Sequence, residues 1–396
     1  MFNRKIGLIL LFLSFFIIIG SVSAAENMTN NASVSIGDNA VDVGCIDQNN
    51  VVELNSTDVQ TNNHNLSDSG KLVSACNNGD NRDKNTNRPI SSADDLENAL
   101  NKGGNYVITK NITISDMSKS EGKNVYIDGN GYTIRGDDEK YCDIDVENNC
   151  VYFMNCVFYK IRIDASSDVY LYNCTMKNAR AERGMKGVVI TAEGCKLVMA
   201  NCSIVNSGSN CGYHGAIYLK DCRANITNSC FDGCFASDSA SCDYGGAIAS
   251  EDTTLDLSNC IFKNCYAREK GGAVYTVDGN NKIVNCSFIK CHSDSPGALP
   301  SYGGAVYADG STSVITCNFT NCSASNHKMA TWNRSIDCED SDTNLNVINC
   351  SIDGVYYNGT AILNVDASKN VLNYPSVCES VDGDVCMYVN NRGIIL

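Results

Sequence analysis

The feature that most constrains this chain is a recurring asparagine. Asn155, Asn173, Asn201, Asn228, Asn259 and Asn285, then Thr316 in the same place and Asn349, follow one another at intervals of 18, 28, 27, 31, 26, 31 and 33 residues. The next residue is Cys156, Cys174, Cys202, Ser229, Cys260, Cys286, Cys317 and Cys350, and the third is Phe158, Met176, Ile204, Phe231, Phe262, Phe288, Phe319 and Ile352. Apolar residues also stand two and four places before the asparagine, as in Val151 and Phe153 or Leu255 and Leu257. The strand-like alternation holds on both sides, but its phase slips by one residue at the asparagine.

A chain that turns a corner while keeping its apolar side inward must place one residue in an unusual backbone conformation, and Asn tolerates the left-handed region better than most. Each repeat therefore contains two short strands meeting at an Asn bend. A second anchor lies 12 to 14 residues earlier, in Gly215-Ala216-Ile217-Tyr218, Gly246-Ala247-Ile248-Ala249, Gly272-Ala273-Val274-Tyr275 and Gly304-Ala305-Val306-Tyr307. It predicts a third strand entered through Gly. Periods of this length indicate a solenoid or a propeller. A propeller blade needs four hairpin-linked strands in about 40 residues, and a leucine-rich repeat needs a regular Leu framework that is missing. Three strands and three bends per turn predict an all-β parallel solenoid in which like side chains stack about 4.8 Å apart.

The ends read differently. Residues 1–25 carry Asn3, Arg4 and Lys5, then an apolar run from Gly7 to Gly20, then small residues, which is the pattern of an export signal and short for a membrane span. Residues 26–88 have no aromatic residue and read as a solvated Asn- and Ser-rich stalk. The solenoid is expected over 89–361, opened by a short capping helix with Ser92 as its cap, Asp95 three residues on, and Leu96, Ala99 and Leu100 on one face. Residues 362–396, with Cys378 and Cys386, break the pattern and are expected to cap or trail the last coil. The net charge of −15 and the lack of clustered Lys and Arg argue against nucleic acid as a partner.

Twenty-three cysteines in an exported chain leave three readings open. The Asn-following cysteines can form a column of small buried thiols. Disulfides can form elsewhere, with Cys211, Cys222, Cys230 and Cys242 as donors. A metal column is the third, although zinc needs four ligands converging on one point and no Cys-x-x-Cys pair is present. Fourteen Asn-x-Ser/Thr sequons occur, including Asn27, Asn55, Asn111 and Asn225. Several others, Asn173, Asn201, Asn285 and Asn349, are the bend residues themselves and suit an amide ladder.

Gly271-Gly-Ala-Val-Tyr275 followed by Asn285-Cys-Ser-Phe288 resembles the repeat of polymorphic outer-membrane proteins and archaeal adhesin-like surface proteins, and Val125-Tyr-Ile-Asp-Gly-Asn-Gly-Tyr-Thr-Ile134 is similar to an opening coil of the pectate-lyase-like superfamily. The likeness runs over about residues 105–357. It implies a single-stranded right-handed parallel β-helix at a cell surface or outside the cell. In the outer-membrane relatives an Asn follows the Phe three residues later; here that slot holds Cys234, Cys265, Cys291 and Cys322.

The superfamily also houses polysaccharide lyases and hydrolases, so catalysis needs testing. Asp143, Asp145 and Glu147 alternate with Ile144 and Val146, which puts the three carboxylates on the outer side of one strand, with Arg162 and Asp164 as expected next-coil neighbours. Carboxylates two apart on a strand are about 6.5–7 Å apart, compatible with inverting hydrolysis or with calcium. A solvated acidic face is the plainer reading. His214 precedes Gly215, as in relatives that hydrolyse pectin, but their paired-Asp and Arg-x-Lys motifs are missing, and this His reads as replacing the first Gly of a Gly-Gly pair. No catalytic, cofactor-binding or metal residue is assigned. The expectation is an adhesin-like protein presenting a surface to glycans or cell-surface partners, with the loops at 181–186, 236–243 and 293–302 as recognition sites. A polysaccharide lyase or glycosidase is the alternative, and a structural cell-envelope component the third.

Overall fold

A computed structural model describes residues 87–119, 123–137, 142–180, 186–210, 214–237, 243–295, 301–326, 330–332, 335–337, 344–352, 355–357, 388–390 and 393–395. The export signal at 1–25, nearly all of the stalk at 26–88, and most of the three expected recognition loops lie outside the described residues.

Within them the chain is a parallel β-helix. Two sheets of eleven strands (sheets 1 and 2) and one of nine (sheet 3) are built from strands of successive coils. One coil illustrates the path. Arg223–Thr227 lies in sheet 1, Asn228 turns the corner, Cys230–Asp232 lies in sheet 2, and Ile248–Glu251 returns in sheet 3. Between sheets 2 and 3 the middle coils add a short piece such as Phe235–Ala236, and these build a fourth sheet of six strands. The expected three strands per turn are therefore four in those coils. Two-residue strands such as Phe235–Ala236 are too short to show an alternation, which is why the sequence pattern hides them.

The register is like above like. Phe231 pairs with Phe262, Phe262 with Phe288 and Phe288 with Phe319. Their rings stack at 4.7, 4.8 and 4.7 Å with planes 6°, 5° and 2° apart. All four are fully buried, and truncating one such ring to Ala costs about 3–5 kcal/mol.

Three corners recur, each built on a left-handed residue. The first is the predicted one: Asn155, Asn173, Asn201, Asn228, Asn259, Asn285, Thr316 and Asn349 all have φ between 49 and 55°. Amides stack along it, Asn173 Nδ2 donating to Asn155 Oδ1 at 2.6 Å and Asn285 Nδ2 to Asn259 Oδ1 at 2.8 Å. Those Nδ2 atoms serve the ladder, whereas the sequons at Asn111 and Asn225 are exposed. The second corner uses Lys160, Asn178, Asn206, Gly233, Asn264, Lys290 and Asn321, and the third uses Gly194, Asp221, Asp252 and Asp278.

The residue after most corners is a small buried Cys, Ser, Thr or Ala, with Ile161 and Gly279 as exceptions, and here the structure adds a reason for cysteine. At a corner the ladder of backbone bonds is interrupted, so an N–H on one coil needs a partner. The N–H of Cys260 donates to Sγ of Cys286, that of Cys286 to Cys317, and that of Cys317 to Cys350, each at 3.4 Å. Each thiol in turn donates to the carbonyl two residues before it, as Cys286 does to Val284 at 3.3 Å. Ser229 does the same work between Cys202 and the Thr227 carbonyl, and Thr253 between Cys222 and Glu251. Among the described residues fourteen cysteines are buried, all as thiols. Cys222, expected as a disulfide donor, is one of them, because it sits inside the third corner and donates to the Ala192 and Lys220 carbonyls. Cys230, the other described donor, faces outward on Cys230–Asp232, while Cys211 and Cys242 lie outside the described residues.

The amino end is closed by helix α1 (Ala93–Lys102). The Ser92 side chain accepts from the Asp95 N–H at 3.1 Å, Asp95 accepts from Ser91, and Leu96, Ala99 and Leu100 are fully buried. Past Ile352 the direction reverses: Val355–Tyr357 pairs antiparallel with Cys350–Ile352, ending the parallel ladder of sheet 2.

Candidate functional site

The outer face of sheet 3 holds the residues that sequence singled out, together with others it did not. Cys142–Val146 and Ile161–Ala165 pair so that Arg162 lies beside Asp143 and Asp164 beside Asp145. Arg162 forms a fork with Asp143, Nε to Oδ1 at 2.9 Å and Nη2 to Oδ2 at 2.6 Å, and its Nη2 also lies 3.1 Å from Asp164 Oδ2. Burial pushes the Asp164 carboxyl above the ordinary range, Arg162 opposes this, and Asp145 and Asp143 add to it. The expected acidic cluster thus exists, but its one base is a guanidinium committed to two of its carboxylates. A guanidinium does not give up its proton in a protein. Glu147 lies beyond the strand and is exposed. Among the described residues no three His, Cys, Asp or Glu side chains form a group able to hold a metal.

Further along the same face lies a wall of alternating rings and cations. Tyr218 is fully buried; Lys186 Nζ sits 4.6 Å over its ring and donates to its hydroxyl at 3.2 Å, and that hydroxyl donates to Glu251 Oε2 at 2.9 Å. The His214 ring stacks on Tyr218 at 4.6 Å, Tyr244 on Tyr275 at 4.5 Å, and Tyr275 faces Tyr307 at 5.4 Å. Lys270 Nζ lies 4.6 Å from the Tyr307 ring and donates to its hydroxyl at 3.2 Å. The Tyr218 phenol is held well above its usual range by burial and by the Glu251 carboxylate beside it. Burial, then Lys186, lowers His214 to about 4. It is neutral near pH 7, so its 3.7 Å approach to Glu251 is not an ion pair there.

His214 also corrects the sequence alignment. It bridges to Tyr244, which bridges to Lys270, which bridges to Tyr302. It therefore occupies the position before Gly-Gly and does not replace a glycine; its coil is one Gly short. The retained glycine position has no room for a side chain. A Cβ on Gly272, for instance, would overlap the carbonyl oxygens of Gly304 and His292.

These features define the class of protein as a parallel β-helix with a charged and aromatic outer face. No protein-family model matches the sequence, and no curated protein matches it. Among solved structures the chain is similar to a mannuronic acid specific polysaccharide family 6 lyase enzyme from human gut microbiota, with 10% identity over 66% of this chain and 83% of that one, at a TM-score of 0.20. A likeness of that size carries no argument about chemistry. In the described residues no helix is long and apolar enough to cross a membrane.

Proposed function

We propose that the chain is an exported or cell-surface protein that binds glycans or cell-surface partners, as adhesins do, and does not cleave them. The observation that carries this reading is how sheet 3 commits its charged groups. Arg162 is locked between Asp143 and Asp164, and Lys186 and Glu251 are both bound to the Tyr218 hydroxyl. Such mutual pairing builds a rigid surface and commits these groups to one another, and the neutral His214 beside them is buried and a weak base, with its pKa lowered to about 4. The rings beneath, Tyr218, Tyr275 and Tyr307, are buried, so what this face offers a saccharide or an acidic surface is its polar rim, where Lys186 and Glu193 stay exposed. The leader pattern at residues 1–25 supports residence outside the cell.

A polysaccharide lyase or glycosidase is the second reading, and Lys186 beside the Tyr218 phenol is what favours it. A phenol acting as a base needs a lowered pKa, and this one is raised. The test is a glycan and cell-surface binding array run with the same preparation that is incubated with pectin and alginate. Retention on the array without unsaturated products is the expected result. Product formation that disappears in Tyr218→Phe would replace the binding reading with the lyase.

A further inference from the structure

We propose that the outer face of sheet 2 in the first coils is a binding site for an acidic saccharide. It lies on a different sheet from the ring-and-cation wall and stands whether or not that wall binds anything.

Thr113, Arg135, Tyr159 and Lys177 are in register on four successive coils. With Asn111 and Thr133 they line a cleft of about 320 Å³, the lower end of the range for small-ligand sites. The Arg135 guanidinium lies 4.7 Å over the Tyr159 ring, which holds the charge in place, and Lys160 Nζ is 5.8 Å from the same ring. Asn111 Oδ1 accepts from the Thr133 N–H at 2.9 Å, so the amide nitrogen is its donor end toward other partners.

Charge is sorted between faces of the same coils. Ile112–Ile114, Thr133–Gly136, Val157–Tyr159 and Thr175–Lys177 contain Arg135 and Lys177 and no carboxylate, Asp116 and Asp137 standing just past the first two, whereas Cys142–Val146 and Ile161–Ala165 in sheet 3 carry Asp143, Asp145 and Asp164 around Arg162. In a chain of net charge −15 a cleft whose lining, among the described residues, holds two cations and no carboxylate is against the average. A guanidinium fork and an ammonium recognise carboxylate or sulfate, and amide, phenol and hydroxyl groups recognise sugar hydroxyls. Arg135 and Lys177 are two coils apart, about 10 Å, so the ligand extends along the coil axis and carries its acidic groups at intervals.

The test is calorimetric titration of the full exported chain with a heparin tetrasaccharide, a galacturonate tetrasaccharide and neutral cellotetraose. The expected result is at least tenfold tighter binding of one acidic probe than of the neutral one, weakening as salt rises; which acidic probe wins tells sulfate from carboxylate. R135Q/K177Q should lose at least tenfold, and T113E, which adds a carboxylate at an exposed position without touching the ring contact, should do the same. K263Q, three coils beyond Lys177 on the same row, should bind as the parent does. Equal affinity for acidic and neutral probes, or full affinity in both cleft variants, would overturn the proposal. So would sedimentation showing that R135Q/K177Q abolishes self-association while no saccharide binds, since a second copy would then be the occupant.

Discussion

The backbone N–H of Cys260 donates to the sulfur of Cys286 one coil away, at 3.4 Å. The thiol is thus an acceptor at a corner where the sheet ladder lapses, and Ser229 shows that a hydroxyl serves equally at the same position. Cys286→Ser should therefore change stability by less than about 1 kcal/mol, whereas Cys286→Ala should cost about 1–3 kcal/mol by orphaning the Cys260 N–H. Urea unfolding with reductant present measures both. Equal losses in the two variants would mean the thiols act as apolar filling alone.

Thr316 is a β-branched residue at φ 54° in a column of asparagines. That conformation costs a residue with a branched Cβ about 1–2 kcal/mol. Thr316→Asn relieves the strain and places an amide between Asn285 and Asn349. We expect it to raise stability by about 1 kcal/mol, read as an increase in the urea midpoint with unchanged slope.

Asp143 and Asp164 both touch Arg162, but unequally. Asp143 holds the fork, with side-chain exposures of 11% for Arg162 and 21% for itself, whereas Asp164 is 39% exposed and contributes one contact. Asp143→Asn should destabilise by about 1–3 kcal/mol, because it leaves a half-buried guanidinium under-compensated. The Asp164 carboxyl titrates above its unfolded value, so the native state holds that proton more tightly and stability falls as pH rises through the folded pKa. Asp164→Asn should accordingly remove that acid-side slope without loss at neutral pH. Unfolding curves of both variants between pH 3 and 7 check this.

His214 is lowered from 6.5 to about 4. Its neutral form is the one the fold accepts, so its contribution is complete above pH 6.5 and is lost as pH falls toward 4. His214→Phe keeps a ring against Tyr218 but cannot titrate. The variant should show a smaller drop in midpoint between pH 6.5 and 4 than the parent; identical slopes would place the acid sensitivity elsewhere.

Much of this architecture is legible in the sequence because its corners are chemically narrow. A left-handed residue selects Asn, the next position selects a small hydrogen-bonding side chain, and the third selects Phe, so Asn259-Cys260-x-Phe262 repeats visibly. The second corner was written in the same manner, in Asn178, Asn206, Asn264 and Asn321, each five residues after the first, but Lys160, Gly233 and Lys290 interrupt it. The Arg162 pairing could be expected because one coil places it beside Asp143. Of the ring-and-cation wall, the tyrosines Tyr218, Tyr275 and Tyr307 stand at one place of the repeat and were visible, and Tyr275 and Tyr307 do pair there; the rings that stack on them were not, because they come from unlike positions. His214 and Tyr218 stack within one coil, whereas Tyr244 and Tyr275 stack between coils. No single spacing describes both.

The account rests on successive coils lying directly over one another, and cross-linking measures that. Asn225, Asp256 and Lys282 are consecutive partners on the outer face of sheet 1, so neighbours are about 5 Å apart and the outer two about 10 Å. A short bifunctional thiol reagent, with the joined peptides read by mass spectrometry, should link N225C/D256C in good yield and leave N225C/K282C unlinked. Linkage of the second pair without the first would contradict the register, and with it the rigid face on which the proposed binding depends.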